Sequence, residues 1–111
     1  MKLEFDNPKH EILINNYDAL FKKFRKKGEQ IADDLLAVIE VLRAADCLFD
    51  VPKSYRPHPL KAEYKGYFAV DVDDKNRIIF RPNHNSDPNF RIDNYKTITS
   101  IKIIEIFKDY H

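Results

Sequence analysis

The sequence predicts a single α+β domain spanning residues 1–111, and three features carry that prediction. Two amphipathic helical stripes, over about residues 8–27 and 29–45, meet at the single glycine Gly28. Two apolar runs, 67–72 and 78–80, flank the polar break Asp73-Asp74-Lys75-Asn76 and read as an antiparallel hairpin. A last run, 97–107, is apolar on both faces, as a central strand is. With a short alternating segment at the start, the element order is β-α-α-β-β-β around one modest core.

Taken in order, residues 2–5 alternate and place Leu3 and Phe5 on a buried face. Asn7-Pro8 starts a helix, because asparagine caps and proline is tolerated in the first turn. Ile12, Leu13, Tyr17, Leu20, Phe21 and Phe24 form one stripe and predict one continuous helix, which Gly28 stops. Lys22, Lys23, Arg25, Lys26 and Lys27 crowd its last turns, where cations suit the helix dipole; that run is either a solvated end or a contact for RNA. In the second helix Ile31, Leu35, Val38, Ile39 and Leu42 share a face, while Glu29, Asp33 and Asp34 lie at the positive end. The one-glycine joint predicts an antiparallel helical hairpin, covered by the later strands. Cys47, just past the helix, reads as a small buried hydrophobe. Segment 83–96 is rich in Asn, Asp and Pro and reads as a surface loop, with His84 exposed and inert. In the last strand Ile101 and Ile103 are expected on one face, Ile104 and Ile106 on the other.

The charges nearly balance, 19 Lys and Arg against 18 Asp and Glu, but they are unevenly spread. Residues 29–50 carry Glu29, Asp33, Asp34, Glu40, Asp46 and Asp50 against Arg43 alone. Residues 51–70 reverse this, with Lys53, Arg56, Lys61 and Lys65 against Glu63, so a local basic patch is expected despite the neutral total. A single cysteine excludes an internal disulfide and a thiolate metal cluster. With neither a signal peptide nor a long apolar span, a cytoplasmic protein without membrane association is expected.

The densest chemistry lies in 56–82, RPHPLKAEYKGYFAVDVDDKNRIIFRP. Pro57-His58-Pro59 is a rigid turn, and Lys61 and Lys65 follow it. Arg77 starts the return strand and Arg81 ends it, so alternation places 77, 79 and 81 on one face. Two arginines, two lysines and a histidine together fit a phosphate-bearing ligand; a solvated sheet face fits the same charges.

The pieces LRAAD at 42–46, HPLK at 58–61, KGYFAVDV at 65–72, RIIF at 77–80 and DYH at 109–111 occur in this order. With them the chain resembles a toxin of the RelE/ParE superfamily, in its HigB-like branch, from bacterial type II toxin–antitoxin pairs tied to plasmid maintenance. The resemblance implies a RelE-like α+β fold, with an N-terminal strand and an antiparallel helical hairpin packed on an antiparallel sheet. It also implies cleavage of mRNA in the ribosomal A site, with no cofactor and no metal. The implied partners are the ribosome and mRNA, a cognate helix-turn-helix antitoxin, and operator DNA only through that antitoxin. His58 and Lys61 match the HPLK pair, Arg77 the arginine heading the return strand, and Tyr110 and His111 the terminal pair; these five form the expected catalytic set. Arg56, Lys65 and Arg81 are the expected RNA-phosphate contacts. Many HigB toxins carry another arginine four residues before the return-strand arginine, where this chain has Asp73.

Metal-free RNA cleavage needs a base for the 2′-hydroxyl, an acid for the leaving 5′-oxygen and cations for the charge on phosphorus. Arginine stays protonated, so Arg77 and Arg81 can clamp phosphate, while His58, Lys61 and His111 can move protons. Each has a plainer alternative: His58 as a turn residue held between prolines, His111 as a tail, Arg77 as the ion-pair partner of Asp71 or Asp74. Two other functions also fit. One is a ParE-like gyrase inhibitor that acts by binding. The other is a catalytically weak relative serving as a binding module or promoter co-regulator, a reading that Asp73 supports.

Overall fold

The computed structural model describes residues 1–109; Tyr110 and His111, both in the expected catalytic set, lie outside the described residues. The elements are β1 (Lys2–Phe5), α1 (Pro8–Ile14), α2 (Tyr17–Phe24), α3 (Ile31–Ala44), β2 (His58–Pro59), β3 (Phe68–Asp71), β4 (Asn76–Pro82) and β5 (Ser100–Asp109). Short 3₁₀ turns at Leu48–Asp50, Lys53–Tyr55, Ala62–Tyr64 and Tyr95–Thr97 join them. The strands form one sheet in the order β1-β5-β4-β3-β2, so β5 and β4 are interior. β2 through β5 pair antiparallel, whereas β1 runs parallel to β5, with Leu3 opposite Ile101 and Phe5 opposite Ile103. A parallel neighbour needs a crossover, and the helices supply part of it.

Where one long helix was expected after Asn7, there are two. Asn16 accepts a hydrogen bond from the Ala19 N–H at 3.2 Å and caps α2, and Asn15 ends α1. Adjacent asparagines satisfy helix termini better than helix interiors, so the pair overrides the apolar period. The break turns Ile12 and Tyr17 outward and buries Ile14, Leu20 and Phe24. α3 keeps the expected face, with Ile31, Leu35, Val38, Ile39 and Leu42 all buried.

These helical residues pack with Phe68, Val70, Ile78, Phe80, Ile101, Ile103 and Ile106 into the main core on one face of the sheet. A smaller cluster forms on the other face: Leu60, Ala69 and Ile79, with Tyr64, Tyr67 and Ile104 against it. Ile106 therefore does not share a face with Ile104. The register of β4 against β5 slips between Arg77 and Ile79 and again between Ile79 and Phe80, the surplus residues lying on β5. A bulge re-aims the side chains that follow it, and here it returns Ile106 to the main core.

Two further expectations are corrected. Cys47 is only half-buried, its Sγ 3.4 Å from Asp50 Oδ2, because the turn Leu48–Asp50 sends Leu48 inward instead. The His84 side chain is just 5% exposed. Its Nε2 accepts the N–H groups of Thr99 and Ser100 at 3.0 and 3.2 Å, its Nδ1 lies 3.3 Å from Asp87 Oδ2, and its ring stacks on Phe90 at 4.8 Å. His84 thus pins the long loop to the start of β5. Among the described residues no helix is long and apolar enough to cross a membrane.

Candidate functional site

Of the residues expected at the site, Arg56, His58, Arg77 and Arg81 lie on or against the open face of the sheet, away from the helices. Pairing sets Asp71 of β3 opposite Arg77 of β4, and Arg77 opposite Lys108 of β5. Arg56 reaches the same carboxylate from the segment before β2. Arg77 Nε lies 2.7 Å from Asp71 Oδ1, and Arg56 Nη1 lies 3.6 Å from Asp71 Oδ2. Asp71 Oδ1 is buried without a hydrogen bond of good geometry, so the short approach is an ion contact made at an angle. Arg77 Nη1 donates to the carbonyls of Asp73 and Asn76 at 3.1 and 3.2 Å.

The two arginines differ sharply in access. The Arg77 side chain is 8% exposed and that of Arg56 is 66% exposed. Arg77 thus takes the ion-pair alternative left open by the sequence, and Arg56 is the cation that solvent reaches. Arg56 is held in a left-handed backbone conformation, φ 50°, immediately before Pro57. For a residue with a side chain this costs about 1–3 kcal/mol, and such strain concentrates at functional sites. Ala62, φ 56°, adds a second such residue in the same stretch.

His58 sits on the edge strand β2, opposite Ala69 and half-buried. Its Nδ1 lies 2.6 Å from the Arg56 carbonyl oxygen. A carbonyl only accepts, so Nδ1 carries the hydrogen and neutral imidazole presents Nε2 as its free base. Lys61 and Lys65, both exposed, bracket the turn Ala62–Tyr64, whose Tyr64 meets Tyr67 edge-on at 6.0 Å over the small cluster. Arg81 stands at the far end of β4, its Nη1 donating to the Pro82 carbonyl at 3.3 Å, across from Lys102. It lies four residues along the strand from Arg77, about 13 Å, so the two cannot grip one phosphate.

Asp73 has a structural task. Its Oδ1 accepts the N–H groups of Lys75 and Asn76 at 2.9 and 2.8 Å, and the Asn76 side-chain amide at 3.1 Å, closing the β3–β4 turn. Burial alone would push its carboxyl up, but those hydrogen bonds and the Arg77 charge outweigh it and hold the group below the usual carboxylate range. Behind this turn a cleft of about 610 Å³ runs to the start of α3, lined by Asp34, Asp73, Asp74 and Asp109 with Lys27 and Lys75. That acidic lining does not suit an anion. Among the described residues no cluster of three or more His, Cys, Asp or Glu could hold a metal.

Sequence reasoning missed Tyr64, Tyr67 and Lys108 on this face. The signal for Lys108 was the pairing of β5 with β4, which local periodicity does not contain.

The same fold is found in solved toxin structures. A YoeB/ParE toxin from Agrobacterium tumefaciens matches over 100% of both chains, with a TM-score of 0.53 at 12% identity. Two Staphylococcus aureus YoeB–YefM structures, one a heterotetrameric toxin–antitoxin complex, match over 100% of this chain and 97% of theirs. Their TM-scores are 0.52 and 0.51, at 14% and 16% identity. No protein-family model and no curated protein sequence matches the chain. At these identities the likeness is one of fold, and it is to YoeB/ParE toxins rather than to the HigB-like branch.

Proposed function

We propose that this chain is the toxin of a type II toxin–antitoxin pair and a ribosome-dependent mRNA endoribonuclease that acts through the RNA 2′-hydroxyl without a metal. The observation that carries the reading is the open sheet face of a YoeB/ParE-type fold, where His58 presents a free Nε2 beside the exposed Arg56. Placement in the HigB-like branch rests on the sequence pieces LRAAD, HPLK, KGYFAVDV, RIIF and DYH.

In this reading His58 Nε2 accepts the 2′-hydroxyl proton as the 2′-oxygen attacks phosphorus. The P–O5′ bond breaks, and the departing oxygen takes a proton from an acid, assigned on sequence grounds to the terminal pair Tyr110 and His111. Lys61, Lys65 and Arg56 offset charge on the phosphate. Arg77 fixes Asp71, which holds Arg56 in place, so Arg77 serves the site from beneath it. Arg81 and Lys102 would meet the RNA backbone further along. The S. aureus toxin is solved with YefM, which supports a cognate antitoxin here; its helix-turn-helix character and its link to operator DNA follow from the sequence resemblance.

The burial of Arg77 against Asp71 and the turn role of Asp73 favour a second reading, a binding module without catalysis. Induced expression in a bacterial host with mapping of mRNA 5′ ends separates the two. Cuts inside translated codons, lost in His58→Ala, are expected. Growth arrest without such cuts would point to the ParE-like gyrase inhibitor, and neither effect to the binding module.

A further inference from the structure

A second concavity, of about 420 Å³, lies where the turns Leu48–Asp50 and Tyr95–Thr97 come together, and no step above uses it. Leu48, Phe49, Val51 and Tyr95 give it apolar walls, and Lys53 and Arg56 stand in its lining without a carboxylate. Phe49 is 60% exposed and leaves part of its ring open to solvent at the mouth of this groove. The Lys96 ammonium lies 4.9 Å from the Phe49 ring centroid. Lys53 and Lys96 have no ion pair among the described residues.

An exposed aromatic ring beside Lys53 and Lys96, neither of them in an ion pair among the described residues, is suited to a flat group attached to a polyanion. The volume, near the low end of the roughly 300–1,000 Å³ of small-ligand pockets, suits a base rather than the face of a helix. Arg56 joins the two places: its guanidinium lies against Asp71 at the proposed cleavage face, and the same residue lines the groove. Its left-handed backbone fixes that position.

We propose that this groove is a second subsite for single-stranded RNA, in which an unpaired base stacks on Phe49 while Arg56, Lys53 and Lys96 hold the adjoining phosphates. The proposal rests on the reading that RNA is the substrate and names where a neighbouring nucleotide of that substrate is gripped.

The test measures binding of a short fluorescein-labelled oligoadenylate to the full-length protein over a range of salt concentrations. Phe49→Leu keeps the apolar surface and loses the ring, and should weaken binding about tenfold, whereas Phe49→Trp should restore it. Lys53→Ala and Lys96→Ala should each reduce the salt slope by about 0.7, the share of one phosphate on a single strand. Lys9→Ala, an exposed cation on α1, should leave both quantities unchanged. Wild-type affinity in Phe49→Leu overturns the subsite even if mRNA cleavage in cells is intact. Phe49-dependent binding of a Glu-Phe repeat peptide, with no Phe49 effect on RNA, overturns it in favour of a protein partner. Phe49-dependent RNA binding by a wild-type protein that cuts no mRNA upholds the subsite and removes the nuclease reading.

Discussion

The carboxylate of Asp71 lies between two guanidinium groups, one buried and one open to solvent. Removing a partner from a buried pair leaves an uncompensated charge, which costs about 3–5 kcal/mol. Asp71→Ala is therefore expected to destabilise the protein by about 3 kcal/mol in urea unfolding, and Arg77→Ala by a comparable amount. A loss of cleavage in Arg77→Ala would then follow from lost folding as readily as from lost chemistry. Arg56→Ala is the cleaner probe, since an exposed pair contributes about 1 kcal/mol or less and the variant should fold normally while losing activity. Asp73 makes a different prediction. Its carboxyl is held below its ordinary range in the folded protein, so it stabilises the fold at and above that range and the contribution is lost as pH falls through the folded value. Asp73→Asn keeps the turn acceptor and removes the charge, so its unfolding midpoint should fall less steeply on acidification than that of the wild type.

Between residues and the whole fold, two elements owe their form to a single side chain. Asn16 caps α2 with its side chain, directly after Asn15 has ended α1. Asn16→Ala should cost about 1 kcal/mol, the ordinary value of a lost N-cap, measured as a lower midpoint in denaturant. The loop 83–96 depends on His84, whose Nε2 takes two strand N–H groups at once. His84→Ala leaves both without an acceptor and removes the stack on Phe90, for a loss of about 1–3 kcal/mol. Hydrogen exchange should quicken at the Thr99 and Ser100 amides and through the loop, and unchanged protection there would show that the loop is held by other contacts. Gly66, φ +91° with open space around its Cβ position, permits the bend between the exposed Lys65 and β3.

For the molecule as a whole, the sheet divides two surfaces. One is sealed by helices around the isoleucines of β5, and the other is open, basic and only lightly covered by Tyr64 and Tyr67. All the buried isoleucines of the last strand, Ile101, Ile103 and Ile106, precede the end of the described chain at Asp109. A chain ending after Asp109 keeps all three and should therefore still fold. Under the nuclease reading it should lose mRNA cleavage, because the residues assigned as acid are gone. Full cleavage by the shortened chain would show that Tyr110 and His111 have no part in the chemistry.

By itself the sequence determined what depends on near neighbours: the α3 face, the 67–80 hairpin, the strand character of the last apolar run, and the basic stretch around His58. That Arg77 pairs with Asp71 rather than Asp74 came only with the strand register. Each of those four is a local period or a short turn, set by which side chains can be buried together within a few residues. Asn15-Asn16 is equally local: two adjacent asparagines with helix-capping chemistry outweigh the apolar period that runs across them. The tertiary structure alone decided which distant segments meet. It set β1 parallel against β5, placed strand amides beside His84, brought Phe49 under Lys96, and shifted Ile106 to the helical face through a bulge. Those choices minimise unpaired backbone groups and exposed apolar area over the whole chain at once, and no window of neighbouring residues contains that sum.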